Sequence, residues 1–167
     1  MEKEAHCKCK KGCESGRCSC LRNNEPCDEA CGCHDCRNPL NGVNLDALSI
    51  CAIQNIAKYK ALSEAELAAP HELPCGDAQV PLRDLLKGYD CPKCRETWWY
   101  SFCWDEVVQE GNSWHCEICK QCRDWREWHC ERCNRCTYGV SLPCENCRAR
   151  GPFQEGDTED YDDDLFF

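Results

Sequence analysis

Nine of the twenty-two cysteines fall between Cys7 and Cys36, spaced as Cys7-x-Cys9, Cys13, Cys18-x-Cys20, Cys27, Cys31-x-Cys33-x2-Cys36. The other apolar side chains of that stretch are Leu21, Pro26 and Ala30, too few for a core. The sulfurs must therefore supply the fold. Nine is odd, so disulfide pairing leaves one thiol over, whereas nine thiolates satisfy three tetrahedral zinc ions if six are terminal and three bridge two ions each. The alternative, a disulfide-stapled secreted module, would call for an export signal. Met1-Glu2-Lys3-Glu4 has no apolar leader and no apolar run is long enough for a bilayer, so the expectation is a soluble, intracellular protein without a membrane partner.

A second set of eleven cysteines begins at Cys91: Cys91-x2-Cys94, Cys103, Cys116-x2-Cys119-x2-Cys122, Cys130-x2-Cys133-x2-Cys136 and Cys144-x2-Cys147. Two residues between cysteines let one tight turn present both sulfurs to one ion. Trp114-His115-Cys116-Glu117-x-Cys119-x2-Cys122 recurs fourteen residues later as Trp128-His129-Cys130-Glu131-x-Cys133-x2-Cys136, a duplicated knuckle. Eleven cysteines with one histidine would hold three more zincs, about six in all. The spacing suggests Cys91, Cys94, Cys116 and Cys119 for one site and Cys133, Cys136, Cys144 and Cys147 for another. Cys103, Cys122 and Cys130 would take either His115 or His129. These sets are rich enough in sulfur to be closed, so an enzyme is not expected.

The elements that must position these ligands are short. Residues 43–89 hold only Cys51 and Cys75 and read as a helical connector. Asn44 suits an N-cap, and Leu45, Leu48, Ala52, Ile56 and Tyr59 recur at helical intervals. Ser63-x-x-Glu66 is a capping box for a second helix ending before Pro70, and a third is expected from Pro81 to Lys87, stopped by Gly88. Cys51 reads as a core residue, and His71 and Cys75 as structural rather than metal-binding. Trp98, Trp99, Tyr100, Phe102, Trp104, Trp114, Trp125 and Trp128 read as a minimal core between metal sites rather than stacking platforms for bases. Four parts follow: a three-zinc cluster at 1–42, the connector at 43–89, a multi-zinc ribbon and knuckle module at 90–149, and a disordered acidic tail at 150–167.

Charge is uneven. The formal net charge is −10. Binding twenty thiols as thiolates to six divalent ions removes twenty protons and adds twelve positive charges, which lowers it by a further eight. The overall field therefore repels nucleic acid. Between residues 8 and 22, however, Lys8, Lys10, Lys11, Arg17 and Arg22 face only Glu14, an excess able to touch phosphates or to balance the cluster's own charge. The tail carries an acidic run followed by Leu165-Phe166-Phe167, a pattern suited to docking on a partner.

Cys7-Lys8-Cys9-Lys10-Lys11, Arg17-Cys18-Ser19-Cys20 and Cys27-x3-Cys31-Gly32-Cys33-x2-Cys36-Arg37-Asn38 resemble the CXC repeat of tesmin-type proteins. In that family nine cysteines hold three zincs and the domain contacts DNA. This chain has one repeat where those proteins carry two, and Arg17 stands where they commonly place a groove-entering tyrosine. An arginine can enter a narrow minor groove or clamp a phosphate. Cys116 to Arg123 and His129 to Cys136 resemble the zinc ribbon that ends CHY-and-RING-type ubiquitin ligases, where it is a protein-interaction element; no complete RING spacing accompanies it. The tail is similar to the acidic, phenylalanine-ended tip of bacterial single-stranded-DNA-binding proteins, without the proline before the final phenylalanine. Together these imply a nuclear, DNA- or chromatin-associated zinc protein, a transcriptional regulator that recruits partners through the ribbon module and tail. The alternative is a zinc scaffold, for instance in ubiquitin transfer, with no nucleic-acid role.

Overall fold

The computed structural model describes residues 6–76 and 78–152, and the chain divides into two compact units, Met1–Glu110 and Gly111–Phe167. The boundary falls inside the stretch that cysteine spacing groups as one ribbon module. Most of the expected tail, residues 153–167, lies outside the described residues.

Residues 6–42 are built around sulfur. Their only regular element is α1 (Ser19–Arg22), a single turn. Cys7, Cys13, Cys18 and Cys20 are fully buried, with Leu21 and the remaining cysteines of the stretch packed against them. Backbone bonds from Gly32 N–H to Cys7 C=O (2.9 Å) and from His34 N–H to Cys9 C=O (3.1 Å) lace the two ends of the stretch together.

The connector is more broken than its periodicity predicts. The expected continuous helix after Asn44 is a 3-10 turn (Leu45–Ala47) followed by α2 (Ile50–Gln54) and α3 (Ile56–Ala61). Polar side chains that bond backbone locally account for the breaks. Ser49 Oγ accepts from Ala52 N–H and starts α2 afresh, and Asn55 Nδ2 donates to the Cys51 carbonyl (2.9 Å), ending it. The capping box forms as expected: Ser63 and Glu66 bond reciprocally at the start of α4 (Glu64–Ala68). Hydrogen bonding from Ser63 also holds the Glu66 carboxyl below its ordinary value. Pro70 then opens β1 (Pro70–Glu72), which pairs with β2 (Gln79–Pro81), a hairpin absent from the helical expectation. The third helix is short, α5 (Leu82–Leu85), with Pro81 as its N-cap. Leu73, Val80, Leu82, Leu85 and Leu86 are buried in this region.

β3 (Tyr89–Asp90), β4 (Thr97–Ser101) and β5 (Glu106–Gln109) form an antiparallel sheet in that order. Trp98, Trp99 and Tyr100 are consecutive and all buried, so both faces of β4 are covered. These rings, with Phe102, are buried as expected of a core, whereas Trp104 and Trp125, expected in the same core, are exposed. The second unit is two hairpins, β6 (Ser113–Cys116) with β7 (Gln121–Asp124), and β8 (Glu127–Cys130) with β9 (Arg135–Tyr138). Every pairing of the first recurs fourteen residues on in the second, so the sequence duplication is a duplication of register. Trp114 Nε1 donates to the Asp124 and Glu127 carbonyls and Trp128 Nε1 to that of Gly139 (3.0–3.1 Å), which lets these half-buried indoles clasp each hairpin end.

From Cys91 onward, the first Cys-x2-Cys turn of each of the four clusters shares one backbone device. The residue after the second cysteine, Arg95, Lys120, Asn134 or Arg148, has φ between 52° and 65°. This left-handed step folds the chain back after the turn so that the next segment can pair. None of the four is glycine, so each turn holds some strain, of order 1–2 kcal/mol for an ordinary residue. Lys120→Gly should therefore raise the thermal midpoint of the metal-loaded chain, with a gain of about 0.5–1 kcal/mol. Ile118→Gly, within the same turn but without the left-handed backbone, should lower it.

Candidate metal centres

The nine N-terminal sulfurs form overlapping tetrads. Cys7, Cys20, Cys27 and Cys31 make one, Cys7, Cys13, Cys18 and Cys27 a second, and Cys13, Cys27, Cys33 and Cys36 a third. Four ligands at about 2.3 Å from a tetrahedral ion stand about 3.8 Å apart. The sulfurs of Cys7 and Cys13 are 3.8 Å apart, those of Cys7 and Cys27 3.6 Å, those of Cys18 and Cys27 4.0 Å, and those of Cys20 and Cys31 3.5 Å. A disulfide would bring sulfurs to about 2.05 Å. None of these cysteines forms a disulfide.

Protonation separates the shared sulfurs from the others. Burial pushes the Cys7 and Cys13 thiols well above the ordinary range, helped by neighbouring thiols, and pushes Cys27 up to about 12 although Asn38 donates to it. These three belong to more than one tetrad. At Cys18 burial acts upward too, but N–H groups including that of Leu21 outweigh it and bring the thiol down to about 7. At Cys31, burial is outweighed by the Asp28 and Cys7 backbone groups, giving about 6. Cys36 falls to about 7 chiefly through a backbone bond at Asn38. The unshared thiolates of Cys18, Cys31 and Cys36 are thus held by backbone dipoles, whereas the shared ones require a cation.

Asn38, the last residue of the motif that resembles the tesmin-type repeat, and Asn41 clasp the cluster from outside. Buried Asn38 donates through Nδ2 to the Glu25 carbonyl (2.8 Å) and to Cys27 Sγ (3.4 Å), while its Oδ1 accepts from Leu40 N–H. Asn41 Nδ2 donates to Cys36 Sγ (3.4 Å) and its Oδ1 accepts from Cys27 N–H (2.8 Å). Donors of this kind orient a thiolate and share its charge. Asn38→Asp, which keeps the shape and loses the donor, should release metal to a chelator about 10–100-fold more readily. Asn38→Gln should fall between the two, as read by a colorimetric metal-release assay.

In the rest of the first unit, Cys94 lies below its ordinary value, first through Trp98 Nε1 (3.5 Å) and then the backbone at Glu96, with smaller contributions from Cys91 and Cys75. Cys75, set aside in sequence as structural, therefore joins the Cys91 and Cys94 pair. Cys51 Sγ lies 3.9 Å from Cys103 Sγ, with Asn55 Nδ2 3.8 Å from both. His71 instead stacks edge-on against Tyr100, ring centroids 5.4 Å apart.

In the second unit Cys116, Cys119, His129 and Cys136 form a tetrad. His129 Nδ1 is 3.4 Å from the sulfurs of Cys116 and Cys119 and 3.9 Å from that of Cys136, and Cys119 and Cys136 are 3.6 Å apart. His129 Nε2 is buried without a hydrogen-bond partner among the described residues. Nδ1 is thus the nitrogen aimed at the sulfurs. Arg123 sits close by; burial opposes its charge, but Cys136, Glu127 and Cys119 more than offset that and raise it. Cys130 pairs with Cys147 (3.6 Å) and Cys133 with Cys144 (3.7 Å), and the thiols of all four interact. His115 Nδ1 faces Cys122 Sγ across β6 and β7 (3.3 Å), as His129 faces Cys136 across β8 and β9.

The ligand sets expected from spacing are thereby redistributed. Cys116 and Cys119 take His129 and Cys136 rather than Cys91 and Cys94, and Cys130 replaces Cys136 beside Cys133, Cys144 and Cys147. Both histidines face sulfur, where the count called for one. The reason is register: a knuckle recruits the cross-strand His–Cys pair of the next hairpin, a contact that spacing alone does not specify. His129→Ala should lose one ion by native mass spectrometry, and His129→Cys should retain it.

The basic residues near the first cluster gather around a cavity of about 470 Å³. Lys8, Lys10, Lys11 and Arg17 line it with Ser15 and Ser19, and no acidic side chain does. Glu14, the lone acid of that stretch, is held instead by Arg37 (2.9 Å). Arg22 is not part of the lining. No helix among the described residues is long and apolar enough to cross a membrane. No protein-family model matches the chain, and neither does any curated protein or solved structure.

Proposed function

We propose that this is a zinc-built protein whose first cluster is a three-zinc, nine-cysteine unit of the tesmin kind and contacts nucleic-acid phosphates. The observation that carries the reading is the sharing of Cys7, Cys13 and Cys27 among three tetrads. With those three as bridges, Cys20 and Cys31 complete one ion and Cys33 and Cys36 another; the third tetrad is Cys18 with all three shared sulfurs, and the ligand count assigns Cys9 to the place of Cys27 there, since Cys27 already bridges the other two ions. Twelve contacts then come from nine sulfurs with none left over. Two further ions belong to the Cys116–Cys119–His129–Cys136 and Cys130–Cys133–Cys144–Cys147 sets, and another to Cys75, Cys91 and Cys94. Zinc fits these all-sulfur and sulfur-with-imidazole donor sets better than harder cations do. The ions are structural, and their role is to fold short segments that have little apolar core.

The cavity supports the contact with nucleic acid. Three lysines, one arginine and two hydroxyls around a concave surface suit phosphodiester oxygens, which position a protein without reading sequence. Arg17 fits phosphate clamping or minor-groove entry, so the interaction is with duplex DNA and weakly sequence-dependent. Recruitment of protein partners through the second unit and the acidic segment, and a nuclear site of action, complete the proposal.

A salt series with the zinc-loaded full chain and random duplex DNA tests it. Neutralising about three phosphates predicts a log–log slope near −2.7, and each of Lys10→Ala and Arg17→Ala should lower its magnitude by about one. Absence of binding at low salt, with six or more zincs bound by native mass spectrometry, would instead favour a protein scaffold without nucleic-acid function.

A further inference from the structure

Three of the four large apolar side chains exposed in the described part of the second unit lie near the turn where the described chain ends; the fourth, Ile118, sits apart in the Cys116–Cys119 knuckle. Trp125, Tyr138 and Leu142 are 53%, 47% and 54% exposed. Trp125 sits in the turn between β7 and β8, and Tyr138 ends β9. The Arg126 guanidinium lies 5.9 Å from the Trp125 ring centroid and 5.5 Å from that of Tyr138, and Asp124 anchors it at 2.7 Å. Leu142 continues the surface by folding over Gly139, where a Cβ would come within 2.7 Å of it. Gly151 packs on the same turn, since a Cβ there would stand 2.5 Å from the Leu142 carbonyl oxygen and 2.7 Å from that of Val140. The chain therefore passes from Gly151 into residues 153–167 beside Leu142.

The composition of that segment complements the surface. Residues 153–167 carry seven acidic side chains, no basic one, and Phe153, Tyr161, Leu165, Phe166 and Phe167. Arg126, Arg148 and Arg150 are exposed near the surface or the exit. Residues joined to this unit by so short a connection have an effective concentration of the order of millimolar, so even a weak contact is populated. Exposed aromatic rings beside an arginine could also stack nucleic-acid bases. Against that, the two neighbouring ligand sets leave excess negative charge once their thiols ionise around divalent ions, which disfavours phosphates.

We propose that residues 153–167 dock on their own unit, seating phenylalanine and leucine side chains on Trp125, Tyr138 and Leu142 with carboxylates facing Arg126, Arg148 and Arg150. This inference is independent of the nucleic-acid reading. It makes the acidic segment an internal cover for the aromatic surface, one that a competing acidic, aromatic peptide would displace.

The test uses the zinc-loaded full chain labelled with 5-fluorotryptophan, with the Trp125 fluorine line assigned by Trp125→Phe. In the native chain that line should show the small solvent-isotope shift of a covered indole. It should move to the shift of an exposed indole in a Leu165→Ser, Phe166→Ser, Phe167→Ser chain, and partway there at high salt. A synthetic 153–167 peptide added to the triple variant should restore the covered value. An identical Trp125 line in the native and variant chains overturns the proposal. So does a response to single-stranded oligonucleotide in place of the peptide, or a covered value that appears only as protein concentration rises, which would mean docking on a second copy.

Discussion

Nine thiols confined to one small volume cannot all ionise without cations, and without ionisation they hold nothing together. At separations of 3.5–4.0 Å, even at an effective dielectric constant of 20, neighbouring thiolates repel by about 4 kcal/mol per pair. Burial adds to the difficulty, raising the Cys7 and Cys13 thiols further, with hydrogen bonds from neighbouring thiols acting the same way. Residues 6–42 have no apolar core to fall back on, since the buried set of the cluster is cysteine. Metal loading and folding are therefore one process in this segment. The surrounding structure serves that constraint: backbone N–H groups stabilise unshared thiolates, and Asn38 and Asn41 donate to sulfurs that would otherwise carry bare charge.

A different solution to the same constraint operates in the second unit. Adjacent residues of β8 point to opposite faces, so His129 faces one ligand set while Cys130 enters the next. One strand thus serves two sites. A slip of one residue would exchange the imidazole and the thiolate between faces and spoil both. Occupied metal sites consequently fix the register of short hairpins that would be marginal alone. The duplication extends this device by repeating it: the knuckle between β6 and β7 completes its set with the cross-strand pair of β8 and β9, and the knuckle between β8 and β9 completes its own with Cys144 and Cys147.

What could be read from sequence was local. Cys-x2-Cys pairs, the capping box at Ser63 and Glu66, and the fourteen-residue repeat depend on near neighbours, and the structure contains each of them. Ligand sets depend on register and on how turns meet, so Cys75 and the roles of His115 and His129 were not legible. A signal for Cys75 was present in Pro74-Cys75-Gly76, a turn-forming context unusual for a core cysteine. The helix of the connector failed as a single element because periodicity registers apolar positions and ignores Ser49 and Asn55, which compete for backbone bonds. Aromatic residues divided for a related reason. Trp98, Trp99 and Tyr100 lie in a strand covered on both faces, whereas Trp125 occupies a turn tip, half-exposed with the Arg126 guanidinium over its ring.

The charge pattern bears on function through locality rather than total. On the proposed zinc count, the first cluster carries three more negative than positive charges, and the five basic residues between Lys8 and Arg22 exceed that by two. Glu14 does not reduce the excess at the cavity, because its carboxylate is occupied by Arg37. Screening at physiological salt limits exposed charges to about 8 Å, so the acidity of the rest of the chain weakens a phosphate contact there without cancelling it. Binding of that kind would be short-ranged and salt-sensitive, with little steering from a distance. On the proposed reading, a net repulsive protein with an attractive concavity would favour phosphates already brought close by another contact, the behaviour expected of a recruited component rather than an autonomous reader.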